Sequence, residues 1–197
     1  MDAIIKYFRE RKGYARMKDM KASGFQTRNI QKLVEKGQIV KVKPGLYRLA
    51  DIRVGESSGL VEVCLAMPKA VICLASALAY HELTTFVPMI ISFAIPRSHK
   101  PIKLSLSPNE PYYFSENQYR AGIGHHETKA GHIRIYVPEK TVCDIFRFRN
   151  KLGEDLAIEG LKEYLKRPNR DLNKLMEFAD VCRVKGIVSQ YVKAIVG

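Results

Sequence analysis

Hydrophobic positions near the start of the chain recur at helical spacing. Ala3, Ile4, Tyr7 and Phe8 form one stripe and predict a helix over Asp2–Arg11. Met17 and Met20 predict a second helix over Met17–Ala22. After Gly24-Phe25, the residues Ile30, Leu33 and Val34 stand at i, i+3 and i+4 and predict a third. Gly37 follows where a glycine suits the end of a helix. The period then changes to that of strands. Ile39, Val40 and Val42, a Pro44-Gly45 turn, and Leu46, Tyr47 and Leu49 predict a basic two-stranded hairpin. Helix, turn, helix and hairpin in this order predict a winged helix-turn-helix over residues 1–53, an arrangement that lays one helix in a DNA major groove.

The polar positions fit that expectation. Opposite the apolar stripe of the third helix stand Arg28, Asn29, Gln31, Lys32 and Lys36. These side chains bond phosphates and the hydrogen-bonding edges of purines. Lys41, Lys43 and Arg48 are expected to project from the hairpin.

Residues 51–59, DIRVGESSG, have the small, polar composition of a linker, and a second domain over 60–197 is expected. Leu60–Met67 and the apolar run Val71–Leu83 predict two helices. Met89–Ile95, Ile102–Leu106, Tyr112–Ser115, the segment around Tyr119–Ile123, and His132–Val137 predict short strands. Pro138 opens a further helix, with proline in its permitted first turn. Glu154–Lys166, Leu172–Val184 and Ile187–Val196 complete a helical C-terminal half. The fold class is therefore α+β: an N-terminal winged helix-turn-helix, then a mixed α/β domain with a small sheet and C-terminal helices.

Charge sharpens the picture. Lys and Arg number 33 against 20 Asp and Glu, a net +13 over 197 residues. Residues 1–53 hold 14 basic and 5 acidic side chains, so most of the excess lies in the winged-helix segment. Such a concentrated field attracts polyanions, and salt weakens it. Cys64, Cys73, Cys143 and Cys182 form no Cys-x-x-Cys pair and sit in apolar contexts, as expected of reduced thiols in a cytoplasmic protein. No secretory signal or membrane-spanning run is read.

Enzymatic motifs are incomplete. His81-Glu82-Leu83-Thr84-Thr85 begins like a helical zinc site, but Thr85 stands where the second histidine is needed. His125, His126 and His132 would alternate between strand faces, which disfavours a shared metal. Gly122-Ile123-Gly124 lacks the Lys-Ser/Thr of a phosphate cradle. Asp144 and Asp155 suggest paired carboxylates, yet an i, i+3 pair between Asp144 and Arg147 is the plainer account. No cofactor, metal or catalytic residue is expected. A basic surface from Arg147, Arg149 and Lys151 to Lys162, Lys166, Arg167 and Arg170, interleaved with Tyr112, Tyr113, Tyr119 and Tyr136, is set against a solvated helix face with core tyrosines.

Two stretches together carry a family resemblance. One is the winged helix ending in KVKPGLYRL. The other runs from VICLASALAYHEL through ISFAIP and IRIYVPEKTVCDIFRFRNKLG to LKEYLKR. Over about residues 10 to 185 the chain resembles the AbiEi-type antitoxins of bacterial abortive-infection toxin–antitoxin systems of type IV. The resemblance implies that the winged helix binds operator DNA, at inverted or direct repeats, and represses its own operon. It implies that the larger domain neutralises a nucleotidyltransferase-like toxin without requiring a stable complex. Carried over by position, the operator-contacting candidates are Thr27, Arg28, Asn29, Gln31 and Lys32 with wing residues Lys41, Lys43 and Arg48. The signature positions of the larger domain are Thr141, Asp144, Arg147 and Arg149. The alternative is a winged-helix regulator whose second domain senses a ligand.

Overall fold

The computed structural model describes residues 2–52, 55, 57–102, 104 and 107–196. The N-terminal module runs α1 (Asp2–Arg9), β1 (Tyr14–Arg16), α2 (Met17–Ala22), α3 (Thr27–Glu35), β2 (Ile39–Lys43) and β3 (Leu46–Leu49). α1 stops two residues earlier than its pattern predicts, and Ala3 is exposed rather than inward. The backbone turns back there because the Phe8 carbonyl accepts from both Arg11 N (2.9 Å) and Gly13 N (2.7 Å).

The helix-turn-helix is set by two closures of one kind. Gly24 (φ +87°) and Gly37 (φ +66°) occupy the left-handed position just past α2 and α3. Phe25 N bonds Met20 O at 3.0 Å and Gly24 N bonds Lys21 O at 3.0 Å. Gln38 N bonds Leu33 O and Gly37 N bonds Val34 O, both at 2.9 Å. In each case the last helical carbonyls find donors in a glycine-closed turn.

The expected hairpin is a three-stranded sheet of order β1-β3-β2. β1 is too short for a periodicity to show, and it pairs antiparallel with β3 in the register Tyr14↔Arg48 and Arg16↔Leu46. Alternation gives this sheet two buried faces. Ala15, Ile39, Tyr47 and Leu49 pack on Ile4, Phe8, Met20, Ile30 and Leu33 of the three helices. Tyr14, Val42 and Leu46 join a second cluster with Leu60, Val61 and Val63 of the following domain. The wing sheet is thus sandwiched between its own helices and the second domain.

That domain begins with α4 (Ser58–Ala66), which starts inside the segment expected to be linker. Then follow β4 (Val71–Ile72), α5 (Leu74–Tyr80), β5 (Ile91–Pro96), β6 (Asn109–Phe114), α6 (Glu116–Arg120), β7 (Ile123–Glu127) and β8 (His132–Tyr136). The helical half is α7 (Pro138–Arg147), α8 (Arg149–Leu152), α9 (Glu154–Leu165), α10 (Leu172–Val181) and α11 (Lys185–Val196). The strands form one mixed sheet of order β6-β5-β4-β8-β7. β4 is parallel to β8 and antiparallel to β5, while β5 and β6 run parallel.

Three expectations need correction. The run Val71–Leu83 is not one helix: the β-branched pair Val71-Ile72 is the central strand, and the chain turns at Leu74 (φ +51°) into the alanine-rich α5. The segment around Tyr119 is helical, because Tyr119 N reaches Ser115 O at 2.8 Å and Glu116 pairs with Arg120 at 2.5 Å, while Gly122 (φ +73°) ends the turn before β7. The strand expected over Ile102–Leu106 falls partly outside the described residues, and neither Ile102 nor Leu104 is in a strand.

Candidate nucleic-acid interface

α3 is held by Ile30 and Leu33, both fully buried, so its opposite face is turned to solvent. Arg28, Asn29, Gln31, Lys32 and Lys36 are all exposed there, and Thr27 is half-buried in the first turn. The wing adds exposed Lys41 and half-buried Lys43. Between α2 and the wing tip lies a groove of about 440 Å³ lined by Arg16, Lys18, Lys21, Lys43 and the Pro44-Gly45 turn, with no acidic side chain in its lining. The hydrogen bond from Met17 N to Gly45 O, 2.9 Å, ties the wing turn to the start of α2 and fixes the width of that groove. Lys18 and Lys21 were not singled out from the sequence. Their i, i+3 spacing on the exposed side of α2 was the available signal.

Arg48 does not project from the wing. It is 8% exposed and its Nη1 forms an ion pair with Glu62 Oε1 of α4 at 3.3 Å. Strand alternation puts Arg48 on the same face as Tyr14 and Leu46, and that face is covered by the second domain. Glu62, 1% exposed, also accepts from Tyr14 Oη at 3.4 Å and from Ser107 Oγ. Burial, and then the nearby Glu62 carboxylate, push the Tyr14 phenol up to about 12. Three further bonds cross between the modules. Arg16 Nη2 donates to Leu65 O at 3.1 Å, and Lys12 Nζ reaches Glu127 Oε1 at 2.5 Å and Thr128 O at 3.2 Å.

The signature positions of the larger domain divide in two. Thr141 and Asp144 are fully buried, out of reach of a macromolecular partner. Asp144 Oδ2 takes a 2.5 Å ion pair from Lys140 Nζ, itself fully buried over the Tyr136 ring at 4.3 Å. Arg147 stands 3.8 Å from Asp144 Oδ1, so the expected i, i+3 pair is present but secondary to the i, i+4 pair. Arg147 lies against the neighbouring Phe114 and Phe148 rings and donates to Gln118 Oε1 at 2.7 Å. Arg149 Nη1 donates to Phe146 O at 2.9 Å. The motif is therefore a fastening of α7 into the core. Of the four interleaved tyrosines, Tyr112, Tyr119 and Tyr136 are buried and Tyr113 is exposed.

The histidines separate. His81 is buried, and its Nε2–H donates to Tyr136 O at 2.7 Å, since a carbonyl can only accept. Burial lowers its pKa to about 4. His126 faces Tyr80 Oη at 3.3 Å, while His132 stands opposite Glu127 on the neighbouring strand. Among the described residues no group of three or more His, Cys, Asp or Glu is placed to hold a metal. All four cysteines are free, Cys64 half-buried and the others buried. Burial raises the Cys64 thiol to about 11 and the Cys182 thiol to about 12, which keeps both protonated and unreactive. No helix of the described residues is long and apolar enough to cross a membrane. An apolar loop, Phe86 to Ile90, is exposed on the second domain, its base held by Glu159, which accepts from Thr84 Oγ1 and Thr85 N at 2.9 and 2.7 Å.

A glycine-closed helix pair, a wing, and an exposed cationic face on α3 define the class: a winged helix-turn-helix module fused to an α+β domain. Residues 2–50 match the model of the family described as "Transcriptional regulator, AbiEi antitoxin". The match spans the winged-helix module, about a quarter of the chain, and the N-terminal module is similar to that family over this length. No curated protein matches the chain. Among solved structures, the chain is similar to the RV2827C protein from Mycobacterium tuberculosis, with a TM-score of 0.59 and 11% identity, covering 96% of this chain and 79% of that one. At that identity the likeness concerns the fold, and it extends over both domains.

Proposed function

We propose that this protein is the antitoxin of a bacterial toxin–antitoxin pair and the repressor of its own operon, acting in the cytoplasm. The winged helix seats α3 in the major groove of an operator carrying inverted or direct repeats. Arg28, Asn29, Gln31 and Lys32 address base edges and phosphates there. Lys36, Lys41 and Lys43, with Thr27 at the helix start, take the backbone. Arg48 is left out of this set, because it is committed to Glu62. The second domain neutralises a nucleotidyltransferase-like toxin. Within the signature motif only Arg147 and Arg149 keep exposure for that role. The observation that carries the reading is the solvent-facing row of Arg28, Asn29, Gln31 and Lys32 on a helix whose other side is fully buried.

Replacing Arg28 and Lys32 together by Ala tests it. Operator binding is expected to be lost while toxin neutralisation in cells persists. Loss of both activities in a variant that still folds would contradict the division of labour.

The second reading, a ligand-sensing regulator, is favoured by one observation. A cleft of about 440 Å³ lies between the modules, with Tyr7, Arg11, Val61, Leu65 and His132 in its lining. A neighbouring reading frame encoding a metabolic enzyme in place of a nucleotidyltransferase-like protein would support it.

A further inference from the structure

We propose that the loop Phe86–Ile90 and the groove beside it dock the partner toxin, by offering apolar side chains and the Glu82 carboxylate to an apolar pocket bordered by cations on that protein. The inference deepens the antitoxin reading above and rests on it.

Singly exposed hydrophobic side chains are ordinary on a protein surface, and a contiguous group is not. Among the described residues seven large hydrophobics are exposed, and four of them, Phe86, Val87, Met89 and Ile90, fall in this loop around Pro88. Hydrogen bonds tie the loop at both ends. Glu159 of α9 accepts from Thr84 Oγ1 at 2.9 Å, from Thr85 N at 2.7 Å and from Thr85 Oγ1 at 3.0 Å. Phe86 N donates to Thr84 Oγ1 at 3.0 Å. At the far end Ser76 Oγ of α5 donates to Ile90 O at 3.5 Å and accepts from Ser92 N at 2.9 Å. Ile91 N donates to Pro108 O at 2.8 Å. The apolar side chains between these ties are thus held out of the core. Fixing such side chains before association lowers the ordering cost of binding. A groove of about 450 Å³ opens between the loop and α5, with Leu60, Ala79, Tyr80, Glu82 and Val87 in its lining.

Charge selects the occupant. The chain carries a net +13, yet from Ala70 to Pro96 Glu82 is the only Asp, Glu, Lys or Arg. Glu82 is exposed and pairs with no described cation, and the described lining of the groove holds no lysine or arginine. It stands at φ +55° just past α5, where Glu82 N bonds Ala79 O at 3.0 Å and Leu83 N bonds Leu78 O at 2.9 Å. Glycines take the same place past α2 and α3 without steric cost, whereas here the chain holds a carboxylate. Glu159 adds a second carboxylate at the base of the loop. An anionic partner, whether nucleic acid or an anionic lipid surface, would meet both. A two-fold contact between copies of this chain would set the patch against itself, carboxylate on carboxylate. A protein with cations around an apolar pocket is complementary, and an enzyme that handles nucleotides carries such cations for the phosphates of its substrates. One loop and one groove are small beside the roughly 1,200–2,000 Å² that stable interfaces bury, so the contact is short-lived and needs no lasting complex.

The experiment titrates the purified nucleotidyltransferase-like protein encoded beside this gene with the full chain and reads binding by fluorescence anisotropy. It compares the wild type with Phe86→Ser/Met89→Ser, with Glu82→Lys, and with Tyr113→Ser, which alters an exposed aromatic elsewhere, on β6. The first two are expected to bind the toxin at least about tenfold more weakly and to neutralise it less well in cells, with operator affinity unchanged. Tyr113→Ser is expected to match the wild type. Wild-type affinity in both loop-side variants, or neutralisation by a wild type that shows no binding, overturns the proposal and leaves the antitoxin reading standing. Sedimentation of the full chain alone covers the remaining occupant: self-association that Phe86→Ser/Met89→Ser abolishes, with toxin binding untouched, also overturns it. A wild type that fails to neutralise in cells removes the antitoxin reading itself, and this inference with it.

Discussion

Glu62→Ala removes the buried carboxylate at the junction of the two modules. Three groups lose their acceptor at once: the Arg48 guanidinium, the Tyr14 hydroxyl and the Ser107 hydroxyl. Arg48 is the costly one. It is 8% exposed and its Nε already has no hydrogen-bond partner among the described residues, so the charge cannot swing out to water. Stranding a buried charge by deleting its partner costs about 3–5 kcal/mol. That is a large share of the roughly 5–15 kcal/mol that holds a domain folded. The partner variant Arg48→Met/Glu62→Leu removes both charges and replaces them with apolar volume. It is expected to recover most of the loss, because the cost lies in the uncompensated charge rather than in the missing pair. Urea unfolding of the two single variants and the double variant measures these differences. A cost below about 1 kcal/mol for Glu62→Ala, or a double variant no more stable than the single, refutes the account of a buried charge fastening wing to second domain.

Two more predictions concern the core of the second domain. Lys140→Met leaves the fully buried Asp144 carboxylate with the longer Arg147 pair at 3.8 Å, and is expected to cost about 3–5 kcal/mol in thermal or chemical unfolding. Lys140→Met/Asp144→Leu is expected to be far milder, and equal destabilisation of both would contradict the pairing. His81 is neutral in the folded protein down to about pH 4, whereas its unfolded form takes up a proton near 6.5. The folded state thus holds fewer protons than the unfolded one between those values. The contribution of His81 is complete above the upper value and is lost as pH falls to the lower, by about 3 kcal/mol at most. Unfolding of wild type and His81→Gln at pH 7 and pH 4.5 checks this, and the same acid sensitivity in both would speak against it.

Much of the N-terminal module was legible because its signals are local. The i, i+3, i+4 stripe of α3, the glycines past two helices and the Pro44-Gly45 turn each depend on residues within a few positions. What was not legible depends on partners far along the chain. Nothing near Arg48 in sequence announces Glu62, so a basic residue on a hairpin read as a solvent-facing contact. The run Val71–Leu83 is apolar throughout, and an element buried on all sides has no periodicity to tell strand from helix. Only the β-branched Val71-Ile72 marks the break. The strand expected around Tyr119–Ile123 begins only at Ile123, and Glu116 and Arg120 before it stand at ion-pair spacing for a helix.

The second domain carries the same lesson in its chemistry. The run from Tyr136 to Arg147 was distinctive enough to support a family resemblance. Its polar residues nevertheless turn inward: Lys140 and Asp144 neutralise each other beneath Tyr136, and Thr141 bonds the Tyr136 carbonyl at 3.2 Å. A distinctive polar motif can specify how a helix is fastened rather than where a partner binds. Lys18 and Lys21 show the reverse. They sit on a plain charged helix in sequence, and gain meaning only when folding closes the groove against Lys43.

The most direct test is binding of the purified protein to duplex DNA from immediately upstream of its own gene, against a scrambled duplex of the same length, at two salt concentrations. The account predicts preference for the upstream duplex that persists at the higher salt and disappears in Arg28→Ala/Lys32→Ala. Equal, steeply salt-sensitive binding to both duplexes would contradict it, because the winged helix would then act as a cationic surface without an operator.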